Sequence, residues 1–212
     1  MKPRFHLPRS FSVVWFALGL ACSAQAAGPL SEYDVKAGFL FNFGRFVQWP
    51  DSAVPTADAP LVIGILGADP FGPTLDELVQ GENVSGRPIA VRRFSRKDDY
   101  TQCHVLFVSR SESASLSEIL GRLKGLPILT VSDADRFVVM GGTIGLVMEG
   151  GRVRIHINVG SAKTAQLNLS AKLLRSATIF NGPQSLLAPV WRWYYCVLGS
   201  GRPGIVKRAY PT

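Results

Sequence analysis

The chain predicts an α/β fold: a single domain whose mostly parallel mixed sheet is flanked by helices on both faces and followed by a C-terminal β-hairpin and helix. Three features predict it. Short runs that are apolar on both sides (Leu61–Leu66, Val105–Val108 and residues 128–131) alternate with helical segments, as do the strands of a parallel sheet covered on two faces. A helix with a clear start and stop, residues 32–50, comes before them. After Asp135 the rhythm shifts to short strands joined by the glycine pairs Gly141-Gly142 and Gly150-Gly151, and such pairs signal hairpins.

Taken in order, residues 1–26 read as a cleaved signal peptide. Lys2, Arg4 and Arg9 make a basic start, residues 11–20 an apolar stretch, and Ala24-Gln25-Ala26 a small-residue cleavage site. The apolar stretch is shorter than the roughly 20 residues that span a bilayer, so the mature chain is expected to be exported and soluble. In the helix over 32–50, Ser31 is the N-cap, Glu32 and Asp34 suit the positive first turn, and Pro50 is the stop. Val35, Phe39, Phe43, Phe46 and Val47 fall on one face with Leu40 at its margin. Lys36 lies inside that apolar arc and, in the first turn, reads as snorkelling out to water.

Residues 53–60 carry two prolines and read as a linker. The strand Leu61–Leu66, a turn at 67–70 and a short helix from Thr74 to Val79 follow. Arg87–Phe94 and Val105–Val108 are expected strands, and 111–126 a helix capped by Ser111, with Leu116, Ile119, Leu120 and Leu123 facing inward. Three short strands are expected at 137–140, 143–148 and Arg152–Asn158. In the last, Val153, Ile155 and Ile157 alternate with Arg154, His156 and Asn158, which gives that strand one wet face. Residues 161–177 read as helical with a break near Asn168. One α/β domain over 27–180 is thus followed by a tail, 181–212.

The net charge of +8 describes the ends of the chain. Losing three bases with residues 1–26 leaves +5, and setting aside Arg192, Arg202, Lys207 and Arg208 of the tail leaves 27–180 at +1. A domain so nearly neutral carries no nucleic-acid footprint. Arg92, Arg93, Arg96 and Lys97 are followed directly by Asp98 and Asp99, the pattern of a solvated turn. Two cysteines remain after export, Cys103 and Cys196, enough for one disulfide in an oxidising space and too few for a thiolate metal site. No cofactor and no metal is expected.

Catalysis ranks last among the readings. Gly64-Ile-Leu-Gly67 is only a fragment of a dinucleotide fingerprint, no phosphate-binding G-x-x-x-x-G-K-[ST] loop is present, and no nucleophile elbow supports Ser109. A small-molecule receptor is the competing class. Asp69 and Phe71 follow one strand, and Ser109 and Asp133 follow two others, at the carboxyl ends where open α/β sheets bind ligands. Arg154, His156 and Asn158, with Lys172 and Arg175 near them, form a second candidate, an anion-binding or partner-facing patch set against a plain solvated face. For a protein partner, Asn42 and Trp49 border the stripe of the first helix, with Arg45 and Gln48 on its wetter side. An aromatic beside a cation is the composition that interface hot spots favour, although Trp49 before Pro50 reads equally well as packing down the helix end.

Together the segments EYDVKAGFLFNFGRFVQWP, LVIGILGADPFG, SGRPIAVRRF, CHVLFVS, GLPILTVSD, GGTIGLV, VRIHINV and SAKLLRSA resemble the YfiR-type periplasmic regulators. The resemblance covers about Tyr33 to Ala177. It implies a periplasmic repressor, not an enzyme, that binds the periplasmic domain of a membrane diguanylate cyclase. By that resemblance it lowers cyclic di-GMP and biofilm formation, and an outer-membrane lipoprotein sequesters it. A homodimer is expected. The tail lies outside the shared pattern. Its Trp191, Trp193, Tyr194 and Tyr195 can pack on the domain, mediate self-association or touch the membrane interface. Pairing of Cys196 with Cys103 would staple it to the domain.

Overall fold

The computed structural model describes residues 31–53 and 59–180. The expectations for the signal peptide, for Cys196 and for the aromatic tail lie outside the described residues. The chain starts with α1 (Glu32–Phe46), held by a reciprocal cap. Ser31 Oγ accepts from the Asp34 amide at 3.1 Å, and the Asp34 carboxylate accepts from the Ser31 amide at 2.8 Å, which satisfies two donors that a helix start otherwise leaves orphaned.

The helix stops four residues before Pro50. Val47 turns extended and opens β1 (Val47–Gln48), because the Phe46 carbonyl is taken by the Ser170 amide at 2.9 Å. A distant segment ends the helix there, before proline can. The buried face is also rotated from the expected one. Ala37, Leu40, Phe41, Phe43 and Gly44 are buried, while Val35, Phe39 and Phe46 stand half-buried at the margin.

β2 (Leu61–Leu66), α2 (Pro73–Val79), β3 (Asn83–Val84), β4 (Arg87–Phe94) and β5 (Val105–Val108) come next. A 3₁₀ turn over Arg110–Ser115 leads into α3 (Leu116–Leu123), so the expected helix is shorter and Ser109, not Ser111, caps its entry. Then come β6 (Leu129–Ser132), β7 (Ile144–Glu149), β8 (Arg152–Asn158), α4 (Val159–Thr164), β9 (Asn168–Leu169), α5 (Ala171–Arg175) and β10 (Thr178–Phe180). The break near Asn168 is the small strand β9, which pairs antiparallel with β1.

Among the described residues eight strands form one sheet in the order β10-β8-β7-β6-β5-β2-β4-β3, parallel except where β7 meets β8 and β3 meets β4. Alternate residues of each strand enter different cores. Ile63, Ile65, Phe107, Ile144 and Ile157 join the side chains of α1, α2 and α5, whereas Val62, Leu66, Leu106 and Val108 join those of α3. This is the doubly covered, mostly parallel sheet that the apolar strands predict.

The strand expected at 137–140 is instead a turn, with the Phe137 amide donating to Ala134 O and the Met140 amide to Arg136 O. It folds so that Phe137 enters the core beneath α3. Gly142 permits this, since a Cβ there would overlap the Phe137 ring. Asn158 departs from the wet face expected of it. It is buried, donates to Val138 O at 2.8 Å and caps α4 by accepting from the Ser161 amide at 3.0 Å.

Candidate functional site

Three places collect the residues singled out by the sequence. The first is the outer face of α1 and the chain just beyond it. Gly38, Asn42 and Arg45 follow one another at helical spacing. Asn42 is half-buried and turns back to donate to Gly38 O at 2.8 Å. Arg45 is exposed, lies over the Phe41 ring at 4.6 Å and pairs with Glu82 at 3.0 Å. Gln48 is exposed and accepts from Asn168 Nδ2 at 3.3 Å. Half-buried Phe39 and Phe46 flank this row, with Lys172 Nζ over Phe46 at 5.4 Å. A Cβ at Gly38 would meet nothing within 4 Å, so the surface there is open to close approach.

Trp49 is committed inward. Its indole N–H donates to His104 O at 3.2 Å and its ring stands edge-on to the His104 imidazole at 6.0 Å. The imidazole Nδ1 in turn accepts from the Val62 amide at 3.1 Å, which requires it to be unprotonated. Burial lowers the His104 pKa, the Ala53 carbonyl opposes that shift, and the charge of Arg87 adds to it. A depressed histidine favours the fold at high pH. Its stabilisation is full above the unfolded pKa, about 6.5, and is lost as pH falls through the lower folded value. Urea midpoints should therefore fall below about pH 6.5 more steeply in the parent than in His104→Asn, whose amide oxygen can accept the same bond without titrating. Parallel curves would remove His104 from the pH response.

The second place is the carboxyl end of the sheet. β2 leads on to β4 on one side while β5 leads to β6 on the other, so the two diverge there as at the ligand crevice of an open α/β sheet. The structure brings Asp69, Phe71, Ser109 and Asp133 to this end and engages each one internally. Asp69 Oδ1 accepts from the Phe71 amide at 2.7 Å, and Asp69 Oδ2 from Arg93 Nε at 2.8 Å. Phe71 is buried, edge-on to Tyr33 and to Phe107. Ser109 Oγ accepts from the Ser111 amide. The crevice itself is filled: Ser111 Oγ accepts from the Ala68 amide at 3.0 Å, and Gly67, at φ +91°, leaves no room for a Cβ beside Ser111 and Glu112.

Asp133 belongs to a buried charge cluster that the sequence did not disclose. Lys36 does not snorkel. Its side chain is 0% exposed, and its Nζ lies 2.6 Å from Asp133 Oδ2 and also pairs with Glu32. The Tyr33 hydroxyl donates to the same Asp133 oxygen at 3.0 Å, and Arg110 Nε donates to Asp133 O at 3.0 Å. Burial, followed by the hydrogen bond to Asp133, raises the Tyr33 pKa. An (i, i+4) Glu-Lys pair with an aromatic between was visible in the sequence. Its partner 97 residues away was not.

The third place, the face of β8, does not assemble as expected. Arg154 and His156 leave the strand opposite to Ile155 and Ile157, whereas Leu173 places α5 with the core beneath α1. The sheet thus separates Arg154 and His156 from α5, which carries Arg175. His156 pairs instead with Glu149 at 2.9 Å and lies 5.2 Å from the Phe180 ring. Cys103 is buried and donates its thiol to Tyr100 O at 3.1 Å, and burial pushes its pKa up to about 12. Among the described residues no group of three or more His, Cys, Asp and Glu side chains is placed to hold a metal, and no helix is long and apolar enough to cross a membrane.

The domain is thus a layered α/β fold whose strand-end polar residues are engaged within the fold and whose first helix turns the cation of Arg45 outward. Residues 33–178 match the model of the YfiR/HmsC-like family, and the chain belongs to that family. No curated protein matches the chain.

Proposed function

We propose that residues 1–26 export the protein, and that in the periplasm it represses a membrane diguanylate cyclase by stoichiometric binding to the cyclase's periplasmic domain. Membership of the YfiR/HmsC-like family supports the class of partner. The observation that carries the surface is the outer face of α1, where exposed Arg45 lies over the Phe41 ring, Lys172 lies over half-buried Phe46, and Gly38 is open. Aromatic side chains with a cation supply contact area at little cost in conformational entropy, and such residues dominate interface energies. Repression then needs no chemistry. A protein that binds the inactive arrangement of the sensor domain more tightly than the active one holds the cyclase there by that difference in affinity.

In this reading cyclic di-GMP and biofilm formation fall when the protein is free and rise when an outer-membrane lipoprotein sequesters it. Domain 27–180 carries the contact surface, with Gln48 and the rim of Trp49 at its edge. A homodimer presents two such surfaces, and the aromatic tail 181–212 can rest at the membrane interface. A ligand receptor at the strand ends has less support, because Asp69, Ser109 and Asp133 are already engaged within the fold.

The test is capture of envelope proteins by the mature protein under non-reducing conditions, followed by titration of the recovered partner. Arg45→Glu should weaken that binding by about 10- to 100-fold. Its stability should change by less than about 1 kcal/mol, since the Glu82 pair is exposed. Gly38→Leu, which has space in the free protein, should weaken binding similarly. Unchanged affinity in both variants would move the interface off α1, and recovery of no membrane partner would overturn the repressor reading.

A further inference from the structure

A cleft of about 320 Å³ opens between α3, α4 and the turn before β7, away from the outer face of α1. Its volume is at the lower end for small-molecule pockets. Leu120 and Met140 give it an apolar wall, and Met140 is exposed, with 42% of its surface open to solvent. Ser161 and Thr164 give it hydroxyls on the α4 side. The lining carries one charge, Lys124, and no carboxylate. Lys124 is exposed and forms no ion pair among the described residues.

Gly121 supplies a second, independent observation. It lies within α3 and lines the cleft. Its φ is not in the left-handed region, and a Cβ there would meet nothing within 4 Å, so neither backbone geometry nor packing calls for glycine. Glycine inside a helix weakens it relative to alanine. What the residue does provide is bare backbone on the wall of an open cleft, where a bound molecule can approach closely.

We propose that this cleft binds a small amphipathic carboxylate, its apolar body between Leu120 and Met140 against the bare Gly121 backbone. Its carboxylate pairs with Lys124 at the rim, the Ser161 hydroxyl is a donor for its oxygens, and Thr164 Oγ1, which donates to Gly160 O at 3.0 Å, is left as an acceptor. The site is separate from the outer face of α1 and does not rest on the reading of that face as a partner surface.

The experiment is calorimetric titration of the full mature chain with phenylacetate, hexanoate and N-acetylleucine, and with phenylacetamide as the uncharged counterpart of the first. At least one carboxylate should bind saturably, and phenylacetate should bind about two- to fivefold more tightly than its amide, the scale of one exposed ion pair. Lys124→Met should abolish that preference while leaving the fold intact, as the side chain is exposed. Gly121→Leu should fill the cleft and reduce binding at least tenfold. Saturable binding of none of the three acids, equal affinity for acid and amide, or binding indifferent to both substitutions would each overturn the proposal. Should Gly121→Leu fail to fold, the Lys124→Met comparison still decides it.

Discussion

Replacing Lys36 by methionine should cost the protein about 3–5 kcal/mol of folding stability, the range found when one partner of a buried ion pair is removed. The ammonium lies 2.6 Å from Asp133 Oδ2, and the Asp133 side chain is only 1% exposed. Without Lys36 that carboxylate keeps the Tyr33 hydroxyl and Arg110, at 3.0 and 3.4 Å, while Asp133 Oδ1 is already buried without a hydrogen-bond partner. Glu32 Oε1, which also pairs with Lys36, is buried as well and loses its partner in the same variant. Urea denaturation would read the loss, and Lys36→Met combined with Asp133→Leu should recover much of it, because the Asp133 carboxylate is then no longer left buried without its cation. A single-variant loss below about 1 kcal/mol, or a double variant as unstable as the single, would show that this pair does not hold α1 to the sheet.

Phe71→Ala should cost a similar amount, about 3–5 kcal/mol. The ring is buried between Tyr33 and Phe107, with centroids 5.8 and 4.8 Å away, so truncation opens a cavity where α1 meets the sheet. Its backbone is held as well, by Asp69, which limits how far the site can collapse to refill the space. The measurement is again the unfolding free energy. A loss under about 1 kcal/mol would return Phe71 to the surface and revive it as a ligand contact at the strand ends.

These two residues show where sequence reasoning succeeds and where it stops. Phe71 stands out in the sequence by its place after a strand, and it does lie at that strand's end, against Tyr33 and Phe107. Its role was not legible, since a loop phenylalanine looks the same in sequence whether it covers a ligand or plugs a core. In sequence Lys36 reads as snorkelling because it lies in the first turn of α1, within reach of water. Asp133 neutralises it from another strand end, and pairings at that separation leave no periodic trace in sequence.

The strands show the same division. Leu61–Leu66 and Val105–Val108 were legible because burial on both faces demands unbroken apolar runs, and Arg152–Asn158 because burial on one face demands alternation. Residues 137–140 have the composition of a strand and form a turn, because Phe137 is needed beneath α3 and Gly142 lets it fit.

By itself, then, the sequence determined the fold class, the order of its main elements and, through its ordered segments, the family. The first two rest on hydrophobic periodicity, caps and glycine turns that act within about ten residues, and the family on the likeness of whole segments in their order. Tertiary structure alone decided where α1 ends, which of its faces is buried, that Trp49 is turned toward His104, and that Arg175 is kept apart from His156 by the sheet. Those outcomes depend on which distant groups meet. A backbone carbonyl taken by Ser170 or a lysine neutralised by Asp133 is settled only when the layers pack, because an unpaired polar group left buried there costs more than any local preference can return.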